Sequence, residues 1–134
     1  MIDCQFCPYS LNQNEIILEN SLCLFLQNEG AVSAGSGLII PRTHRETVFD
    51  LSPEEWAATL DLLAQVRDYL EAQHHPDGYN LGWNCGSVGG QKVFHAHLHV
   101  IARFRDEPFA GRGIRYWFIQ DENKRPNQNS ANEF

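Results

Sequence analysis

The 134-residue chain contains no apolar run approaching the ~20 residues that a bilayer-spanning helix needs, which sets aside a helical membrane span. Its opening, Met1-Ile2-Asp3-Cys4, lacks the basic and apolar regions of a signal peptide, so a cytoplasmic location is the expectation. Basic residues are few: ten Lys and Arg stand against seventeen Asp and Glu, for a formal net charge of −7. That balance argues against the broad basic surface that polymeric nucleic acid requires. It leaves room for a small anionic ligand held by local backbone N–H groups and a few histidines or arginines. Cysteines number four, and without a secretory leader they read as thiols or metal ligands rather than a disulfide framework. No internal repeat is present. The 43% apolar and 20% charged content is that of a globular protein, and the length suits one domain with a proper core. That domain is expected over residues 1–126, followed by a polar, frayed tail from Asn127 to Phe134.

What the chain does have is His95-Ala96-His97-Leu98-His99-Val100-Ile101. Strand side chains alternate with a period of two, which predicts His95, His97 and His99 on one face and Ala96, Leu98 and Val100 on the other. Histidine is the side chain that titrates near neutral pH, binds metals and transfers protons. Same-face neighbours on a strand lie ~6.6 Å apart, too far for three in a row to reach one tetrahedral ion whose nitrogen ligands sit ~2 Å away. A division of labour among the three follows.

Around this run the chain reads as strands flanking one long helix. Leu22–Leu26 is strand-like and ends in the turn-forming Gln27-Asn28-Glu29-Gly30; Gly37–Pro41 is a short buried strand closed by proline. Ser52-Pro53-Glu54-Glu55 supplies an N-cap, a proline at the first helical position and a capping-box glutamate. Trp56, Leu60, Leu63 and Leu70 then recur at helical spacing, with Leu62 and Val66 widening the stripe and Thr59 and Arg67 inside it; Asp61, Gln65 and Asp68 mark the wet face. Pro76-Asp77-Gly78 stops the helix, and Tyr79–Trp83 reads as a strand. A hairpin across 85–92 leads to a histidine strand over Val93–Phe104. The expected fold is α+β, a mostly antiparallel sheet with one long helix.

Two further constellations carry chemistry. Cys4-x-x-Cys7 is a zinc half-site, because two thiolates at that spacing grip one ion; His44 and His95 are the best candidates to complete it, with a redox pair or two buried thiols as the alternatives. The loop from Asn84 to Gln91 holds three glycines whose backbone N–H groups can approach an anion, although a ligand-free hairpin loop has the same composition. His74 and His75 suit a helix end, Cys23 a small core residue, and Cys85 a loop thiol.

The stretch Gly78-Tyr79-Asn80-Leu81-Gly82-Trp83-Asn84-Cys85-Gly86-Ser87-Val88-Gly89-Gly90-Gln91-Lys92-Val93-Phe94, continued by the histidine run, resembles the histidine triad family of nucleotide hydrolases and transferases. The segment from Ala34-Gly35 to Thr43-His44 and the Cys-x-x-Cys start extend the resemblance over roughly residues 1–104. It implies cleavage at the α-phosphate of a nucleoside phosphate derivative through a nucleotidyl-histidine. His97 is then the nucleophile, its other ring nitrogen held by a fixed acceptor, and His99 contacts the phosphate. Asn84, Gln91 and loop N–H groups near Gly90 bind phosphate or the bridging oxygen, Asn28 binds the ribose hydroxyls, and Leu26 lies against the base. Cys4, Cys7, His44 and His95 match a closed, structural zinc site seen in some members. Lys92 and Ser36 depart from the family pattern, where a Ser or Thr and a histidine are common. Arg112 and Arg115 either reach the distal phosphates of a long substrate or face solvent.

The resemblance therefore implies a dinucleoside polyphosphate hydrolase, acting on a diadenosine tetraphosphate-like substrate, with a nucleoside phosphoramidase as the nearer alternative. A non-catalytic nucleotide-binding adaptor and an enzyme with catalytic metal on the triad are the competing classes. A homodimer formed through the helix and a sheet edge is also implied.

Overall fold

The structure, a computed structural model, describes residues 3–27 and 33–127. Asn28 and the tail beyond Asn127 lie outside the described residues. Five strands form one antiparallel sheet: β1 (Ile16–Glu19), β2 (Cys23–Leu26), β3 (Gly37–Pro41), β4 (Gly78–Trp83) and β5 (Leu98–Arg103), in the spatial order β1-β2-β3-β5-β4. One 22-residue helix, α1 (Pro53–His74), crosses one face. The α+β expectation holds.

The helix begins where its capping chemistry says. The Ser52 hydroxyl accepts the Glu55 N–H at 3.1 Å and the Glu55 carboxylate accepts the Ser52 N–H at 2.8 Å. It ends at His74, with His75 in the left-handed region (φ 51°). The buried stripe differs from the one expected. Glu55, Thr59, Leu62, Val66 and Leu70 face the sheet, while Leu60 is 67% exposed, Trp56 is 48% exposed and Arg67 is also at the surface. The apolar arc is wider than one sheet face can cover, so the sheet takes one side of it. Glu55 is tolerated there because Arg45 Nε donates to its carboxylate at 2.9 Å.

The core between helix and sheet is built from Cys23, Phe25, Ile39, Leu62, Val66, Leu70, Leu98 and Val100. Each fully buried Leu, Val, Ile or Phe among them stabilises the fold by about 1.5–3 kcal/mol. Gly37 is required by close approach: a Cβ there would sit 2.3 Å from the Leu26 carbonyl oxygen. The outer face of β2 and β3 buries Leu24, Leu26 and Ile40 beneath Phe6 and Leu11 of the N-terminal segment.

The histidine strand is shorter than its alternation predicts, starting at Leu98 rather than Val93. Pairing of β3 with β5 ends at Ile39↔Leu98, and Pro41 has no N–H to extend the ladder. The Ala96 N–H turns instead to the Arg45 carbonyl at 2.7 Å. His95 and His97 therefore sit on an irregular lead-in, and only His99 lies within the strand. β4 and β5 are antiparallel neighbours as expected, but the connection runs over residues 84–97 rather than a tight hairpin across 85–92.

Candidate functional site

Trp83 pairs with Leu98, so Asn84 and His97 leave the β4–β5 ladder together. Leu38 and Gly82 flank His99 on either side. The outer face of the sheet thus carries His99 between β3 and β4, and the lead-in brings the His97 ring to 5.0 Å from it, centroid to centroid.

His97 is 8% exposed, and its Nδ1 lies 2.8 Å from the His95 carbonyl oxygen. A carbonyl only accepts, so Nδ1 carries the proton and the neutral ring's lone pair is on Nε2. The expected fixed acceptor is this carbonyl. The Phe6 ring packs edge-on against His97 at 5.2 Å. Sequence reasoning missed Phe6, although an aromatic held between two cysteines of one metal site is fixed in space by them.

The His99 Nε2 is buried and has no hydrogen-bond partner among the described residues. Burial first, and then the neighbouring His97, push its pKa below the ordinary histidine value. The unfolded chain therefore binds a proton near pH 6.5 that the folded chain resists, and stability falls as pH drops through that range. His99→Gln removes this proton uptake. Its unfolding free energy, followed in urea, should fall less steeply than that of the wild type between pH 7 and pH 5.

Beside His99 a cavity of about 240 Å³ is lined by Phe6, Leu26, Ser36, Leu38 and Ile101, among others. Leu26 thus lies where a planar ring could rest against it. Ser36, one of the two departures from the family pattern, closes the β3–β5 ladder: its Oγ accepts the Ala102 N–H at 3.1 Å. Lys92, the other, is exposed.

The loop from Asn84 to Gln91 is more self-contained than its composition suggests. Gln91 is 3% exposed; its Oε1 accepts the Gly86 N–H, and its Nε2 donates to the Glu46 and Val93 carbonyls. The Gly90 N–H donates to the Ser87 carbonyl at 3.0 Å. Gln91 and Gly90 therefore brace the loop. The Asn84 carboxamide, by contrast, lies over Gly90 and makes no hydrogen bond among the described residues. Arg112 stacks on aromatic rings, and Arg115 is exposed.

Cys4, Cys7, His44 and His95 come together, their ligand atoms all within 4.8 Å of one another. Sulfur to nitrogen distances are 3.5 Å for Cys4–His95, 3.5 Å for Cys7–His44 and 3.7 Å for Cys7–His95. A tetrahedral ion with thiolate and imidazole ligands has S–N edges of about 3.5 Å. His95 is fully buried and its Nε2–H donates to the Pro41 carbonyl at 2.8 Å, which leaves Nδ1 as the ligand atom. The donor set fits one closed, tetrahedral metal site. The four side chains set the N-terminal segment beside the chain that carries His97.

Residues 10–106 match the family model for the HIT domain. The chain is 30% identical over 116 residues to adenylylsulfatase HINT3 of Arabidopsis thaliana, a match covering 84% of this chain but 59% of that protein. It is also 30% identical over 98 residues to bis(5'-adenosyl)-triphosphatase of Dictyostelium discoideum, covering 73% of this chain and 66% of that one. It thus spans less than two thirds of either relative. Among solved structures, a Zn-bound histidine triad family protein from Mycobacterium smegmatis superposes with a TM-score of 0.70 at 28% identity, covering 84% of this chain and 83% of that one. With most of its length inside the family model and the triad set as described, the chain belongs to the HIT domain family.

Proposed function

We propose that the protein is a hydrolase that cleaves nucleoside phosphate derivatives at the α-phosphorus, with a dinucleoside polyphosphate such as diadenosine tetraphosphate as the leading substrate. The observation that carries this reading is His97 Nδ1 held 2.8 Å from the His95 carbonyl oxygen, a contact that puts the proton on Nδ1 and leaves the lone pair on Nε2. The Nε2 lone pair attacks the α-phosphorus, the bond to the leaving oxygen breaks, and water then hydrolyses the nucleotidyl-histidine. Positive charge that develops on the ring is stabilised by the His95 carbonyl at Nδ1–H.

The His99 ring and the Asn84 carboxamide, which make no hydrogen bond among the described residues, are assigned to phosphate oxygens, and Asn28 to the ribose. Gln91 and Gly90, whose polar groups are already engaged within the protein, act as positioning residues. The base occupies the cavity against Leu26. Cys4, Cys7, His44 and His95 hold a structural zinc. The similar adenylylsulfatase and bis(5'-adenosyl)-triphosphatase differ by name in leaving group and share an adenylyl half, which supports the α-phosphorus as the point of attack. Release of AMP from diadenosine tetraphosphate, compared with turnover of an adenosine phosphoramidate, tests the reading and ranks the phosphoramidase alternative. Binding of AMP with turnover of neither substrate would favour an adaptor instead.

We also propose a cytoplasmic homodimer. No described helix is long and apolar enough to cross a membrane. The helix side left uncovered by the sheet, Trp56 and Leu60, adjoins Leu81 on the edge strand β4, and all three are exposed. A stripe of this kind beside an open sheet edge suits a second copy of the same surface. Leu60→Glu should convert the sedimenting species from dimer to monomer at micromolar concentration; an unchanged sedimentation coefficient would refute that interface.

A further inference from the structure

The outer face of the sheet continues past the cavity beside His99. Ile101 lines that cavity and also a second one of about 750 Å³, which opens between β4–β5 and the chain from Phe104 to Trp117. Most of this wall lies beyond the stretch that matches the family model. Ile114 reaches in beside Gly82, the residue paired with His99: a Cβ at Gly82 would lie 3.6 Å from Ile114 Cδ1. The second cavity is therefore joined to the triad face on two sides.

Two arginines within it do different work. Arg103 is fully engaged: its guanidinium binds Glu107, Asn80 and the carbonyls of Arg112 and Phe109, which makes the wall a braced structure. The Arg112 guanidinium lies 4.8 Å from the Phe109 ring and 5.9 Å from the Trp117 ring, with no ion pair or side-chain hydrogen bond among the described residues. Phe109 and Trp117 are each more than half exposed. Exposed aromatic faces around an unpaired guanidinium suit a planar base linked to negative charge, because every base can stack and a guanidinium forks onto phosphate. The volume falls within the range of about 300–1,000 Å³ usual for organic ligands.

We propose that this cavity is the subsite for the second nucleoside of a dinucleoside polyphosphate, with Trp117 and Phe109 as its stacking faces and Arg112 contacting the polyphosphate. The assignment rests on the hydrolase reading above for the identity of the ligand. A mononucleotide would occupy only the smaller cavity, so the two sites can be read separately.

The test is calorimetric binding of diadenosine tetraphosphate and of AMP to His97→Asn protein, with and without changes in the wall. Trp117→Ala should weaken diadenosine tetraphosphate roughly tenfold, in line with the loss of one stacked base, and leave AMP within about twofold. Trp117→Phe should restore most of the loss, and Arg112→Gln should weaken the dinucleotide while reducing its salt dependence. Equal losses for both ligands, or an unchanged dinucleotide affinity, would overturn the subsite. Selective loss in a protein whose wild type releases no AMP would retain the subsite and defeat the hydrolase reading. Failure of the wild type to bind the dinucleotide would overturn both.

Discussion

His97→Asn should lose turnover by at least ~10³-fold while nucleotide affinity stays within a few-fold, because it removes a nucleophile and leaves the binding surface in place. The ring makes one hydrogen bond among the described residues, from Nδ1 to the His95 carbonyl, and packs against Phe6. An asparagine amide can occupy the same space without supplying a nucleophilic nitrogen. With substrate labelled at the α-phosphorus, rapid acid-free quenching should trap one labelled group per active chain in the wild type. The adduct should be acid-labile, as a phosphoramidate is, and absent from His97→Ala. A His97→Asn protein that turns over at more than a tenth of the wild-type rate would rule out the covalent route. An adduct that persists in His97→Ala would move the nucleophile elsewhere.

Loss of the metal is the other large effect. Closed zinc sites contribute apparent free energies of about 10–16 kcal/mol in small folding units, and the zinc site proposed here would join three distant parts of the chain. Cys4 and Cys7 come from the N-terminal segment, His44 from the chain after β3 and His95 from the lead-in to β5. The purified protein should carry one zinc per chain. Cys7→Ser, or prolonged chelation, should remove it and lower the thermal midpoint by more than ~10 °C, given a few degrees per kcal/mol for a domain of this size. Activity should fall as well, because Phe6 and the His95 carbonyl, which hold the His97 ring, are positioned by the same site. Cys85→Ser, in a half-buried loop thiol outside the site, should retain metal and midpoint. A full zinc complement in Cys7→Ser would refute the ligand assignment. A metal-free protein of unchanged midpoint would refute its structural role.

Local chemistry was legible wherever neighbours along the chain decide it. The capping box at Ser52 and Glu55, the proline that closes β3 and the turn after His74 depend on a few adjacent residues, and the structure keeps each of them. The Cys/His cluster was legible for a related reason: two cysteines separated by two residues form a half-site that needs two more donors, and the family resemblance pointed to His44 and His95. Features decided by packing were harder to read. The apolar arc of α1 spans more than one face, and only the position of the sheet determines that Leu62 and Val66 are buried while Leu60 is left outside. The alternation from His95 to Ile101 suggests a continuous strand, yet a strand needs a partner with N–H groups to offer, and Pro41 ends that supply.

The binding loop shows the same limit from the other side. Gln91 has the right chemistry for a phosphate contact, and nothing local reveals that Glu46, 45 positions earlier, claims its amide. The second cavity was equally hidden, because its floor comes from β4 and β5 and its wall from the chain after Phe104. Residue order alone singled out the side chains to which chemistry is assigned, three alternating histidines and two spaced cysteines, together with a helix that has its own start and stop. What each ring nitrogen meets was decided by the folded chain, and a ring nitrogen is left for a ligand or for a phosphorus according to what its other nitrogen meets. For His95 that neighbour is the carbonyl of Pro41, 54 positions away and set beside it by the pairing of β3 with β5; for His97 it is the carbonyl of His95, two positions earlier in the irregular lead-in.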